Sequence, residues 1–180
     1  MLLIWEVILP VLSKHMTTTQ LSVLFIWLSV TVAAFVYFID SKLVSFNFDN
    51  KLSDVGHQQL ANSLKQYIEP TDYNTILHFY QPNCQCQQYS EAHIQDINNM
   101  AEANNFSVKN INIKDHMLVP ATPSVAILNN SGEIVYFGPY GEGLACSQTS
   151  GYAQTILNNF IKGYDANLII KEAEGCYCKV

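Results

Sequence analysis

Residues 75–86 read Thr-Ile-Leu-His-Phe-Tyr-Gln-Pro-Asn-Cys-Gln-Cys, and this stretch decides the fold. The run over 75–80 is apolar and rich in β-branched and aromatic side chains, which predicts a buried strand. A helical pattern begins near Gln87. The sequence therefore places Cys84 and Cys86 where a strand passes into a helix.

A cysteine at the start of a helix lies near unpaired backbone N–H groups and the positive end of the helix dipole. Both favour the thiolate, the form that attacks disulfides and binds metals. We therefore predict a reactive thiol at Cys84, with a structural half-cystine as the alternative. Cys86 can be a resolving partner, a metal ligand or a structural cysteine, and the pattern leaves these three roles open.

The rest of the chain alternates helical and strand patterns. The further predicted elements are helices over 52–68, 90–104 and 152–164 and strands over 106–113, 125–128 and 134–137. Asn129-Asn130-Ser131-Gly132 joins the last two strands and predicts a hairpin. A strand–helix–strand order predicts a parallel pair, so we expect an α/β fold whose mixed sheet is flanked by helices.

A long apolar run lies near the N-terminus. Residues 21–38 read LSVLFIWLSVTVAAFVYF, without a charge, a proline or a glycine. A helix of this length can cross the hydrocarbon core of a bilayer, and no small-residue cleavage site follows it. We predict a transmembrane helix over 21–39 after an N-terminal tail over 1–20, which a start at Met16 would shorten. Lys14 favours the cytoplasm for that tail and the outside for the domain.

The charge of the chain argues against binding to nucleic acid. The net charge is −6 and the sequence contains no arginine. Nucleic-acid sites depend on basic patches, and phosphate sites often depend on arginine forks. No glycine-rich dinucleotide or phosphate-loop motif is present either. We expect no nucleic-acid partner and no cofactor.

The order of elements and three motifs resemble the thioredoxin-like superfamily across about residues 52–165. The stretch 79–84 is similar to the end of that family's first strand and the entry to its active site. Pro-Ala-Thr-Pro-Ser over 120–124 resembles the family's cis-proline loop, and the hairpin with the Gly-Pro-Tyr-Gly turn over 138–141 resembles its final strands. The whole chain is also similar to a group of single-span bacterial proteins of this fold.

This resemblance implies a domain organisation and a mechanism. A linker over 40–51 would lead into a thioredoxin-like domain over 52–165, and a tail over 166–180 would follow. Cys84 would attack a disulfide and Cys86 would resolve the mixed disulfide. Pro123, after a cis bond, would face Cys84, hold the partner strand and exclude metal.

His78 and Gln87 are further positions that the resemblance marks. The family often has a buried carboxylate at the position of His78, so this imidazole would shuttle a proton. The alternative is a core histidine that is hydrogen-bonded to backbone. The family motif is Cys-x-x-Cys, whereas here Gln87 stands in the place of the second cysteine. Because residues two apart on a helix do not face each other, a Cys84–Cys86 bond would need a non-helical first turn.

The other three cysteines are candidates for structural disulfides. Cys176 and Cys178 form a second Cys-x-Cys pair in the tail, and Cys146 follows the turn that lies on the active-site side of the resembled fold. About ten residues of extended chain can bring the tail back to this side. We expect Cys146 to pair with one tail cysteine, although the connectivity stays open.

Two alternatives to exchange chemistry remain. Two Cys-x-Cys pairs could supply thiolates to zinc or cuprous ion, with Cys84, Cys86 and His93 as candidate ligands, although zinc sites usually have wider cysteine spacing. A non-catalytic module with structural disulfides is the other. The favoured expectation is a single-pass protein of the bacterial inner membrane with a periplasmic domain. It would exchange disulfides with the thiols or disulfides of partner proteins.

Overall fold

The computed structural model describes residues 17–69, 73–113, 118–143 and 151–180. The chain divides into two compact units, 1–41 and 42–180. The described part of the first unit is the helix α1 (Thr18–Asp40) with its capping residues.

Helix α1 is long and apolar enough to cross a membrane. It has 23 residues, a mean hydropathy of 2.3 in its most apolar window and no buried side chain. A capping box starts the helix, because the Thr17 side chain accepts a hydrogen bond from the Gln20 N–H and the Gln20 side chain accepts one from the Thr17 N–H. An apolar helix is thus found at Thr18–Asp40, where the transmembrane helix over 21–39 was predicted, and its place in a membrane stays a prediction. Most of the predicted tail over 1–20 lies outside the described residues.

The second unit contains the following described helices and strands, in chain order: β1 (Val44–Ser45), α2 (His57–Leu64), a 3₁₀ turn (Lys65–Tyr67), β2 (Thr75–Tyr80), α3 (Gln87–Ala103), β3 (Ser107–Asn112), β4 (Ala121–Thr122), β5 (Ser124–Leu128), β6 (Ile134–Gly138), α4 (Tyr152–Ile161), β7 (Leu168–Ile169), β8 (Glu174–Gly175) and β9 (Cys178–Lys179).

Five strands form a mixed sheet in the order β3-β2-β5-β6-β7. Strand β2 is parallel to β3 and antiparallel to β5, β5 is antiparallel to β6, and β6 is parallel to β7. The β5–β6 hairpin turns at Gly132, whose φ of 74° favours glycine. Two smaller pairings, β1 with β8 and β4 with β9, lie outside this sheet.

Side chains of β2 are buried on both faces of the sheet, as expected for a central strand. On one face Leu77 and Phe79 pack with Phe46 and residues of α2. On the other face Ile76 packs with Ile97 of α3 and with residues of α4. Helices therefore cover both faces, and the end of β2 is fixed between two apolar layers.

The segments at either side of the expected domain take part in its structure. Residues 42–51 include β1, which pairs with β8 from the C-terminal tail. Helix α2 begins at His57 rather than at residue 52, because the Leu52 N–H donates to the Asn47 side chain at 3.0 Å within a turn. The linker strand β1 and the tail strand β8 pair over a long sequence distance, which local patterns do not reveal.

Candidate functional site

The first cysteine pair lies in a turn between β2 and α3. The Cys84 N–H donates to the Gln81 carbonyl oxygen at 3.1 Å, and the Gln87 N–H donates to the Cys84 carbonyl oxygen at 3.2 Å. Cys86 is the N-cap residue of α3, so neither cysteine lies within the helix. Because both belong to a turn, the helical rule that separates residues two apart does not apply to their side chains.

Each of these cysteines is bonded to a cysteine of the C-terminal tail. Disulfides join Cys84 to Cys178, with Cα atoms 5.7 Å apart, and Cys86 to Cys176, with Cα atoms 5.4 Å apart. This connectivity differs from the expected bond between Cys146 and one tail cysteine, and it leaves no Cys84–Cys86 bond in this state. The tail reaches the β2–α3 turn through β7 and β8, which brings both of its cysteines within bonding distance. Cys146 lies outside the described residues.

Three sulfur atoms of this site form one cluster. The Sγ atoms of Cys84, Cys86 and Cys178 all lie within 4.8 Å of one another, so the two disulfides lie side by side. Cys84 is buried with 8% of its surface exposed, whereas Cys176 and Cys178 are half-buried. A reagent therefore reaches the tail sulfurs more readily than Cys84. We name these four side chains the cysteine cluster.

The loop before β5 lies against the cysteine cluster. The Thr122–Pro123 peptide bond has the cis form that the family resemblance implied. The Thr122 carbonyl oxygen is 3.5 Å from the Sγ atom of Cys84. Strand β4 pairs with β9 so that Thr122 is opposite Cys178 and Ala121 is opposite Lys179. The tail strand therefore presents Cys178 to Cys84 from an antiparallel pairing beside Pro123.

His78 is a buried histidine with partners at both ring nitrogens. Its Nδ1 atom is hydrogen-bonded to the Tyr140 hydroxyl, and its Nε2 atom lies 3.0 Å from Oδ1 of Asn98. An amide oxygen only accepts, so the pairing with Asn98 assigns a proton to Nε2, and in the neutral ring Nδ1 then accepts from the Tyr140 hydroxyl. Burial lowers the pKa of His78, although the hydrogen bond with Asn98 opposes this shift. The predicted proton shuttle stays a prediction, and the partners found are side chains rather than backbone.

His93 does not join the cysteine cluster. It is buried on α3, where its Nδ1 atom is hydrogen-bonded to Oε1 of Gln154 from α4. It is absent from the described cluster of metal-ligand atoms, which holds Cys84, Cys86 and Cys178. The geometry therefore replaces His93 by a tail cysteine as the third candidate ligand.

Tyr177 is a residue of the site that the sequence analysis did not identify. It lies between the two tail cysteines, it is 8% exposed, and its hydroxyl donates to the Gly141 carbonyl oxygen at 2.7 Å. Its ring packs edge-on against Phe46, with centroids 5.5 Å apart. The sequence marks this residue only as an aromatic side chain inside a Cys-x-Cys pair. A single residue has no periodic pattern from which its burial could be predicted.

A cavity of about 560 Å³ lies elsewhere on the second unit, between α2 and the β5–β6 hairpin. His57, Lys65 and Glu133 are among its lining residues, and no cysteine lines it. Its volume alone does not make it a reaction site.

Comparison with family models finds one described as Domain of unknown function (DUF6436), which matches residues 53–180. The chain belongs to this family. The matched region includes all four residues of the cysteine cluster and the β4–β9 pairing. The comparison with curated proteins finds no match. The family description leaves function to be argued from the site.

Proposed function

We propose that this protein is a membrane-anchored member of the thioredoxin-like superfamily that exchanges disulfides with partner proteins outside the cytoplasm. The observation that carries the proposal is the proximity of the two disulfides, with the Sγ atoms of Cys84, Cys86 and Cys178 within 4.8 Å of one another. A thiolate released from one disulfide is then placed near the other. Thiol–disulfide exchange proceeds by attack of such a thiolate on a disulfide sulfur.

The order of the central strands supports the superfamily assignment. The β2–α3–β3 unit gives a parallel pair, and the β5–β6 hairpin adds two antiparallel strands beside β2. The turn with Cys84 follows β2, and the loop with Pro123 lies against Cys84. These are the positions that the motif resemblance implies for a reactive cysteine and its facing proline.

The anchor and the disulfides support the proposed location. Helix α1 is apolar enough to span a membrane, and disulfides persist in oxidising compartments. Lys14 precedes the helix, which favours the N-terminus inside. We place the second unit in the periplasm of a bacterium, on a single span of the inner membrane.

The proposed cycle begins at the Cys86–Cys176 disulfide, whose two residues are half-buried. A thiolate of a partner dithiol attacks Cys176, and Cys86 leaves as a thiolate. The second partner thiol then attacks the mixed disulfide, so the partner is oxidised and Cys86 and Cys176 gain two electrons and two protons. Next the Cys86 thiolate attacks Cys84, a Cys84–Cys86 bond forms, and Cys178 leaves as a thiolate that takes up a proton. The second exchange moves the disulfide without net oxidation.

Partial reduction tests this cycle. The full chain in detergent micelles is treated with one equivalent of dithiothreitol, its free thiols are alkylated, and its disulfides are mapped by mass spectrometry. We expect a species with a Cys84–Cys86 bond and alkylated Cys176 and Cys178. Cys86→Ala is the matched control, because it cannot form this species. A chain that only loses the Cys86–Cys176 bond and retains Cys84–Cys178 contradicts the proposed migration.

The same cluster favours one second candidate, metal binding by the reduced protein. Two equivalents of a dithiol would convert both disulfides into four thiols, and three of these sulfurs already converge. Thiolates bind zinc or cuprous ion, and cuprous ion accepts fewer ligands. Titration of the reduced chain with each metal against a chromophoric chelator tests this. One tightly bound ion that is lost on Cys84→Ser supports a metal carrier, and the absence of binding rejects it.

A further inference from the structure

The C-terminal tail occupies the site in the way that a bound peptide would. Its backbone is extended, and it pairs through β8 with β1 and through β9 with β4. Between these pairings the Cys176 N–H donates to the Gly143 carbonyl oxygen at 3.1 Å, and the Gly143 N–H donates to the Glu174 carbonyl oxygen at 2.9 Å. Main-chain pairing with side chains in separate pockets is a common mode of peptide recognition.

A pocket holds the aromatic ring next to Cys178. Tyr177 packs edge-on against Phe46 and donates its hydroxyl hydrogen to the Gly141 carbonyl oxygen. Gly175 of the tail itself lies against the ring, because a Cβ atom there would lie 2.7 Å from it. The pocket therefore fits an aromatic side chain that carries a hydrogen-bond donor. We call it the Tyr177 pocket.

A cation follows the cysteine in this arrangement. The Nζ atom of Lys179 lies 4.4 Å from the centre of the Phe48 ring, within the range of a cation–π contact. The order of bound features is thus an aromatic ring, a cysteine bonded to Cys84, and a cation. Small thiols have neither the extended backbone nor the ring that this surface accepts.

We propose that the surface under residues 175–179 is the binding site for exchange partners, and that the tail is its internal occupant. The partner is an extended protein segment with an aromatic residue directly before its reacting cysteine. This inference rests on the proposed exchange function and names its substrate class. In the exchange step, which follows the migration that frees Cys178, the partner thiolate attacks Cys84, the Cys84–Cys86 bond breaks, and Cys86 leaves as a thiolate that takes up a proton.

A peptide reaction with a chain whose tail can no longer bond to Cys84 tests the inference. The full chain carries Cys86→Ala, Cys176→Ala, Tyr177→Ala and Cys178→Ala, which leaves Cys84 as the thiol of the cluster. The probe is Gly-Ala-Tyr-Cys-Lys-Val with its cysteine disulfide-bonded to thionitrobenzoate. The Cys84 thiolate attacks the peptide sulfur, and coloured thionitrobenzoate leaves with the electron pair of the broken bond.

We expect this probe to react about tenfold faster than a probe with alanine in place of tyrosine, since tenfold corresponds to about 1.4 kcal/mol and a buried aromatic anchor is often worth this much or more. Restoring Tyr177 in the chain should reduce this preference, because the tail then competes for the pocket. Cys84→Ala identifies any background reaction at Cys146. Equal rates for the two probes would overturn the inference.

Two further results separate this inference from the proposed function. If disulfide migration is found on partial reduction and the two probes react equally, the specificity is wrong and exchange stands. If migration is absent and Cys84 still prefers the tyrosine probe, the peptide site stands without the proposed cycle. Should the substituted chain fail to fold by circular dichroism, the comparison is made on a chain with only Tyr177→Ala and Cys178→Ala, which retains the Cys86–Cys176 bond, and mass spectrometry counts the peptide attached to Cys84. There the tyrosine probe must again react faster at Cys84, and equal rates would again overturn the inference.

Discussion

Removal of one disulfide should cost much less stability than removal of both, because the two bonds are nested. The bonds Cys84–Cys178 and Cys86–Cys176 join positions 94 and 90 residues apart. In the chain-entropy model a loop of this length contributes about 5 kcal/mol to the free energy of unfolding. Once either bond exists, however, the other closes only a small ring made of residues 84–86 and 176–178.

That small ring contains about six residues, for which the same model gives about 2 kcal/mol. We therefore expect Cys84→Ala with Cys178→Ala to lower the free energy of unfolding by about 2 kcal/mol, and Cys86→Ala with Cys176→Ala to lower it by a similar amount. The variant without all four cysteines should lose about 7 kcal/mol. The deficit is thus strongly non-additive, as expected for sites that constrain one loop.

Urea unfolding of the full chain in detergent micelles, followed by circular dichroism under oxidising conditions, measures these differences. Cys146→Ala is the control for loss of a cysteine that none of the described disulfides contains. Mass spectrometry of each variant checks that no new disulfide has formed. A single-pair variant that is as unstable as the four-cysteine variant would refute the nested connectivity, and a deficit near zero for the four-cysteine variant would refute the stabilising role of the tail.

Three further predictions concern buried groups. Burial lowers the pKa of His78, so the neutral form stabilises the fold above the ordinary histidine pKa of about 6.5, and this contribution is lost as the pH falls from there through the lowered value. His78→Gln should therefore flatten the decline in stability below about pH 6.5. An unchanged pH profile from thermal unfolding would contradict this. Tyr177→Phe should cost about 1 kcal/mol through loss of the hydrogen bond to Gly141, and Tyr177→Ala about 3 kcal/mol or more, as measured by urea unfolding; equal effects would exclude a packed ring. Gly175→Ala should displace the tyrosine ring and speed alkylation of the reduced tail cysteines relative to a Gly56→Ala control, whose added Cβ meets no neighbour; identical rates would mean that this glycine does not lie against the ring.

Much of the central fold could be predicted from local sequence. The strand over 75–80 has its predicted bounds, and the helix predicted over 90–104 is found at Gln87–Ala103. Both have enough residues for a periodic or composition signal. The Asn-Asn-Ser-Gly turn also lies where expected, because a glycine with positive φ at 132 suits the hairpin.

The two-residue strands could not be predicted in this way. Strands β1, β4, β8 and β9 are too short for alternation, and each exists only through hydrogen bonds to a distant segment. The same limit applies to the disulfides. In a helix the side chains of Cys84 and Cys86 would point in different directions. The two residues instead lie in the turn before α3, and both are bonded to cysteines of the tail.

The sequence by itself determined the apolar helix, the strand and helix beside the first cysteine pair, and the presence of two Cys-x-Cys pairs, because these features depend on neighbours within a few turns or strands. Only the tertiary structure decided which sulfurs meet and that Tyr177 lies in a pocket between them. The two disulfides join residues 94 and 90 positions apart, Tyr177 packs on the distant Phe46, and folding of the tail onto the domain brings these residues together. Long-range pairing of this kind depends on the whole folded surface, which no local pattern encodes.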